Sequence, residues 1–178
     1  MSRIMLKNLP ADVIYSDMSS PVGKLILLAS NKGLHAIFWE KDLKDNFCKR
    51  KIAGLKRSNT HKIIQKTKKQ LMEYFKGKRR RFAIPLVLVG TSFQGKAWRQ
   101  LQKIPYGKTI FYSEQAKKIG NANKARAVGI ANSRNPISII VPCHRVIGKS
   151  GKLTGFAGGL DKKKFLLELE ERSRGVKS

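Results

Sequence analysis

The sequence predicts an α/β (α+β) protein in two parts, residues 1–89 and 90–178. Three observations carry this. The first part holds short apolar, β-branched runs separated by turn signals, followed by one run with helical spacing. The chain changes character after Gly90, where a helix-start signature appears. Further on, two short helical stretches meet at Gly120, the pattern of a helix-turn-helix.

In order, residues 13–15, 23–30 and 34–39 are the expected strands, with turns at Pro21-Val22-Gly23 and Asn31-Lys32-Gly33. Residues 41–59 are basic and weakly apolar, and are expected to be loop or irregular helix. Cys48 lies there with no acidic or imidazole neighbour and reads as structural or incidental. His35 and His61 lack metal-ligand spacing with any Cys, Asp or Glu pair. Ile63, Ile64, Thr67, Leu71, Tyr74 and Phe75 repeat at helical intervals, with lysines on the other face. Residues 76–81 make a basic turn, and 82–89 an extended segment interrupted by Pro85.

Thr91-Ser92-Phe93-Gln94 is a capping box and opens a helix to about Leu101, which Ile104-Pro105-Tyr106-Gly107 ends. The next helix starts at Ser113 and runs to Ile119. Asn121 or Asn123 caps the one after it, which reaches Asn132. Lys124 and Arg126, set among Ala125, Ala127, Gly129 and Ala131, suit this second helix to a close approach to DNA. Residues 137–141 read as a buried strand stopped by Pro142, and a glycine-rich loop follows at 148–159.

Composition narrows the partner. With 38 Lys and Arg against 11 Asp and Glu, the net charge is +27, beyond what solubility asks for. A polyanion is the natural partner, and a generally basic proteome accounts for part of the excess. At 178 residues and 41% hydrophobic content, the chain can bury one core or two small ones. Its two cysteines form neither a disulfide framework nor a metal set. The sequence lacks a long apolar span and a secretory core, so the expectation is a soluble cytoplasmic monomer in a compartment that keeps thiols reduced.

The chemistry concentrates at Pro142-Cys143-His144-Arg145. A strand ending at Pro142 would set a thiol at its tip, with an imidazole and a guanidinium beside it. Nearby positive charge or a histidine base lowers the cost of forming the reactive thiolate. An isolated cysteine would read as a small buried residue; with its neighbours, Cys143 reads as a nucleophile.

This stretch, Pro142-Cys143-His144-Arg145-Val146-Ile147-Gly148, resembles the active-site motif of the O6-alkylguanine–DNA alkyltransferases. The resemblance continues in the family's order through Tyr74-Phe75-x-Gly77, Pro85-Leu86, Gly90-Thr91-x-Phe93-Gln94, Trp98 and Ile104-Pro105-Tyr106-Gly107. It then takes in Arg126-Ala127-Val128-Gly129, Asn135-Pro136-Ile137, Gly155-x-Ala157-Gly158-Gly159-Leu160 and Leu166-Leu167-x-Leu169-Glu170. It is loose before Ile63 and dense after Gly90. It implies a ribonuclease H-like α/β domain over 1–89 and a winged-helix-like domain carrying the site over 90–178.

The resemblance also implies roles. Cys143 would attack the alkyl carbon on guanine O6 and keep the group as a thioether, so it reacts once and needs no metal or organic cofactor. O4-methylthymine is a second candidate substrate. His144 would take the thiol proton through a water, and Glu170 would orient and charge the imidazole; from the residues alone, Glu170 reads as a solvated helix residue. Asn135 would be the hinge asparagine between recognition helix and active-site strand. The target base must leave the duplex to react. By match, Arg126 fills its place in the stack, Tyr112 helps rotate it and contacts the guanine, and Lys124 and Ala127 lie on the helix at the DNA. The carbonyls of Cys143 and Val146 and the amide of Ala157 would line the guanine pocket. Phe156 stands where the family usually has tyrosine, so the aromatic wall survives without its hydroxyl. Ala122 replaces the proline common at the start of the recognition helix.

Two other classes share parts of this pattern. A DNA-binding module would have the charge and the helix-turn-helix without chemistry, and Cys143 argues against it. A Cys-His hydrolase would have the dyad without the basic helix, and would turn over repeatedly. Burst stoichiometry separates the three as none, one equivalent or many.

Overall fold

Strands β1 (Ile14–Met18), β2 (Leu25–Ser30) and β3 (Gly33–Trp39) form an antiparallel meander. The two-residue β4 (Lys56–Arg57) adds to β1 in parallel, giving the order β3-β2-β1-β4. Every residue of β2 and β3 is buried. The reason is in the sequence, where Leu-Ile-Leu-Leu-Ala and Leu-His-Ala-Ile-Phe-Trp lack the polar alternation of a sheet with one wet face.

Helices cover both faces. Helix α1 (Asn46–Ala53) buries Cys48 and Ile52 against Ile26, Leu28, Ala36 and Phe38. It lies in the stretch expected to be loop or irregular helix. Asp45 starts it by accepting from the Phe47 amide at 2.8 Å, a cap in a segment too basic to show strong apolar spacing. Cys48 is thus a core residue. Helix α2 (Lys62–Phe75) packs on the same strands through Ile64, Thr67, Gln70, Leu71 and Tyr74. Strand pleating leaves Leu25, Leu27 and Ala29 on the face opposite Ile26 and Leu28.

The expected extended segment 82–89 is not a strand. It meets β3 only at a bridge, where the Leu34 amide donates to the Pro85 carbonyl and the Val87 amide to the Leu34 carbonyl, each at 2.8 Å. Pro85 has no amide to extend the ladder.

The computed structural model describes residues 6–173, and its contacts separate two units, Met1–Val89 and Gly90–Ser178. The second unit is mainly helical: α3 (Ser92–Leu101), α4 (Tyr112–Lys118), α5 (Ala125–Ser133) and α6 (Leu160–Arg172), with β5 (Ile110–Phe111) parallel to β6 (Val146–Ile147). The capping box forms as the sequence predicts, Gln94 amide to Thr91 hydroxyl at 3.2 Å and Thr91 amide to Gln94 side chain at 2.9 Å. Trp98 Nε1 donates to the Ala131 carbonyl at 2.9 Å, tying α3 to α5. The Gln115 and Asn132 side chains exchange two hydrogen bonds, 2.7 and 3.2 Å, between α4 and α5. Gly120, at φ +100°, makes the turn of this helix-turn-helix, and Asn121 caps a 3₁₀ turn (Ala122–Lys124) that precedes α5. Among the described residues no helix is long and apolar enough to cross a membrane.

Candidate active site

The approach to Cys143 is not the strand that its apolar sequence predicts. Residues 137–141 are fully buried but fold as a tight turn, with the Val141 amide donating to the Ile137 carbonyl at 2.9 Å. Asn135 replaces the missing strand partner. Its Nδ2 donates to the Val141 carbonyl at 2.7 Å, and its Oδ1 accepts from the Ile137 amide at 3.1 Å. Ile139 sits at φ +76°, alone in this among the described residues other than glycine. A β-branched residue there costs about 1–2 kcal/mol.

Pro142 (φ −83°, ψ 66°) is the centre of an inverse γ-turn closed by the Cys143 amide on the Val141 carbonyl at 2.9 Å. The chain then winds into a 3₁₀ turn, Cys143–Arg145, all three residues buried. This reversal separates the side chains that sequence places together. His144 and Arg145 both reach α6, where Glu170 receives them. His144 Nε2 lies 2.7 Å from Glu170 Oε1. Arg145 donates from Nε to Oε2 at 2.9 Å and from Nη2 to Oε1 at 3.0 Å, while its Nη1 donates to the Ile104 carbonyl at 2.7 Å. The Gly107 amide completes the set on Oε2 at 2.9 Å.

Glu170 is buried, and burial alone would raise its pKa. Its bonds to His144 and Arg145 outweigh that and hold the carboxyl at about 2. An ionised carboxylate only accepts, so Nε2 of His144 carries the proton. Nδ1 is then a lone pair, buried and without a hydrogen-bond partner. Burial lowers the His144 pKa, opposed by Glu170, so the imidazole rests neutral.

Burial pushes the Cys143 thiol up, so the sequence neighbours expected to ease thiolate formation do not offset desolvation. The Arg145 guanidinium faces Glu170 instead of sulfur. Asn135, Lys163 and Ser138 oppose the shift in that order. Ser138 Oγ is buried with no oxygen or nitrogen partner. Sequence reasoning missed Lys163. Its Nζ, fully buried, donates to the carbonyls of Val146 at 2.7 Å and Thr154 at 2.8 Å, and desolvation lowers its pKa to about 8. The available signal was its register, since Lys163 shares the buried face of α6 with Leu166, Leu169 and Glu170.

Beside these groups, a cleft of about 440 Å³ opens between α5 (Ala125, Arg126, Gly129, Ile130, Ser133) and Tyr112, Thr154 and Gly155. The Tyr112 hydroxyl donates to the Thr154 carbonyl at 3.2 Å, and its ring lies beside Gly129. Of the residues expected at DNA, Tyr112 and Arg126 line the cleft, Lys124 is exposed with Nζ 5.9 Å over the Phe93 ring, and Ala127 is half-buried on α5. Asn135, Val146, Phe156 and Ala157 do not line it. Phe156 is buried with its ring edge-on to His144, centroids 6.4 Å apart, and Ala157 is half-buried beside it. No group of three or more His, Cys, Asp or Glu suited to a metal ion occurs among the described residues.

Comparison with known proteins adds independent findings. Residues 92–172 match the family model described as 6-O-methylguanine DNA methyltransferase, DNA binding domain, and residues 13–88 the one described as its ribonuclease-like domain. A methylated-DNA–protein-cysteine methyltransferase of Methanosarcina acetivorans is 46% identical over 156 residues, covering 88% of this chain and 97% of that protein. The crystal structure of Mycobacterium tuberculosis O6-methylguanine methyltransferase superposes with TM-score 0.80 at 39% identity, covering 93% of this chain and 96% of that one. A structure of M. tuberculosis OGT in complex with DNA matches with TM-score 0.79 at 41% identity, over 89% and 93% of the two chains.

Proposed function

We propose, for a chain that belongs to the 6-O-methylguanine DNA methyltransferase family, repair of DNA by irreversible transfer of an alkyl group from guanine O6 to Cys143. The observation that carries this reading is the state of His144. Nε2 is bound to an ionised Glu170, and Nδ1 is left as a base one residue from a neutral thiol. His144 takes the thiol proton at Nδ1, through a bridging water in the family's pattern. Glu170, held by Arg145 and the Gly107 amide, stabilises the imidazolium. The sulfur then attacks the alkyl carbon in line. The S–C bond forms, the C–O bond breaks, and its electron pair passes to guanine, which takes up a proton. A thioether has no leaving route back, so each molecule acts once.

The raised thiol pKa fits a single-use nucleophile, because a standing thiolate would be lost to other electrophiles. Lys163 is assigned to the thiolate's support and to holding the Val146 and Thr154 carbonyls beside the cleft. In this reading α5 enters DNA, Arg126 occupies the gap left by the flipped nucleotide, and Tyr112 contacts the base; Lys124 and Ala127 lie at the backbone. Val146, Phe156 and Ala157, with Asn135, are assigned to the guanine pocket, although none of the four lines the cleft. The partner is duplex DNA containing O6-alkylguanine, no cofactor is required, and we place the protein in the cytoplasm, where its thiol stays reduced.

Mass spectrometry after incubation with O6-methylguanine DNA tests the assignment. One added methyl is expected, on the peptide holding Cys143, with no second turnover. Cys143→Ala should abolish transfer and keep duplex binding. Methyl on Cys48, or steady turnover, overturns the proposal.

A further inference from the structure

The unit Met1–Val89 contains none of the reactive groups, yet it holds 20 Lys and Arg against six Asp and Glu, a balance of +14. The arrangement on α2 is specific. Ile64, Thr67, Leu71 and Tyr74 face the sheet, and Lys62, Lys66, Lys69 and the C-cap Lys76 follow along the opposite face, all exposed. At 1.5 Å per residue this row is about 21 Å long. Lys78, Arg80 and Arg81, also exposed, continue the basic segment beyond the helix end.

No acid within the described residues pairs with Lys62, Lys66, Lys69 or Lys76. The single carboxylate on that face, Glu73, is taken by Arg79 at 2.6 Å. Lysines four and three residues apart repel by a few tenths of a kcal/mol per pair. A face built only for solvation mixes Glu with Lys and avoids that cost. Here, apart from Glu73, which Arg79 neutralises, the row is left positive, which suits a partner supplying the negative charge.

From this arrangement we infer that the exposed face of α2 is a second nucleic-acid contact, binding the phosphate backbone without reading sequence. One strand of duplex carries a phosphate per 3.4 Å of axis, so the row spans about six of them. Point charges on flexible stems fit a repeating phosphate chain. Met72 is the only large apolar side chain exposed on this helix, too little to anchor in lipid. The inference rests on the reading that DNA is the chain's partner, and transfer to Cys143 checks that reading separately.

The test uses the full chain with Lys62→Gln, Lys66→Gln, Lys69→Gln and Lys76→Gln combined, since glutamine keeps helix propensity. Duplex affinity is measured across a salt series. The slope of log K against log salt is expected to fall by about three to four, near 0.9 per lost contact. Transfer from free O6-benzylguanine should be unchanged, which shows the variant folded and Cys143 competent. The matching four Lys→Arg changes should keep the parent slope. A Gln variant with the parent's slope on DNA overturns the inference. So does an affinity loss confined to phosphatidylserine vesicles, or a slope lost equally in the Arg variant.

Discussion

Arg145 and Glu170 are locked in a fork of two hydrogen bonds, 2.9 and 3.0 Å, inside the second unit. The same carboxylate also receives His144 Nε2 and the Gly107 amide. The guanidinium two residues from Cys143 in sequence therefore serves the histidine's carboxylate, and only through it the sulfur. Removing one partner from a buried pair leaves an uncompensated charge, at about 3–5 kcal/mol. Arg145→Leu should cost about that much stability in denaturant unfolding, and Arg145→Lys less, because the charge stays while the fork is lost. Equal stability of Arg145→Leu and parent would contradict this account.

Acid should unfold the protein in two stages. Burial holds His35 and His144 below their ordinary pKa, so the unfolded chain binds more protons as pH falls below about 6.5. The histidine contribution is full above that value and declines beneath it. Glu170, depressed from 4.5 to about 2, adds a second loss as pH drops through that interval. Thermal melts from pH 8 to 3 should show Tm falling monotonically on acidification. A Tm that rises between pH 6.5 and 5 would exclude this assignment of the histidines.

Lys163 has a readout separate from folding. It lowers the pKa of a thiol that burial raises. In Lys163→Met, the pH profile for iodoacetamide modification of Cys143 should move upward, with slower reaction at neutral pH. An unmoved profile would reduce Lys163 to a loop clamp for Val146 and Thr154.

Ile139 allows a direct measurement of backbone strain. Alanine normally exceeds glycine in stability, but at φ +76° the order should invert. Ile139→Gly is expected to be more stable than Ile139→Ala by about 1 kcal/mol, both lying below the parent, which keeps the buried side chain. Asn135→Ala should cost about 3 kcal/mol by orphaning the Val141 carbonyl and the Ile137 amide, and should slow transfer from free base and from DNA alike.

Arg126 should behave differently. Flipping a base costs a few kcal/mol, so Arg126→Ala should slow transfer on saturating duplex roughly ten- to a thousandfold while leaving free O6-benzylguanine nearly unaffected. Equal losses on both substrates would make Arg126 a support of the site and not a substitute for the base.

Much of this protein was legible in its residues. Local signals reach only a few positions, and where the physics is equally local they sufficed. The capping box at Thr91 and Gln94, the amphipathic spacing of α2, the turn at Gly120 and the chemical types at Cys143 and His144 all follow from neighbours in the chain. Tertiary structure decided the rest. Residues 137–141 have the composition of a strand, but Asn135 satisfies their ends and the chain turns instead. Whether Glu170 is a solvated helix residue or the charged partner of two buried side chains depends on bonds spanning 25 and 26 positions. Lys163 looks like any surface lysine until α6 is docked. The thiol's pKa likewise depends on how much water the fold removes against which charges it leaves nearby. Burial and long-range pairing are properties of the packed chain, and a residue's neighbours in sequence do not contain them.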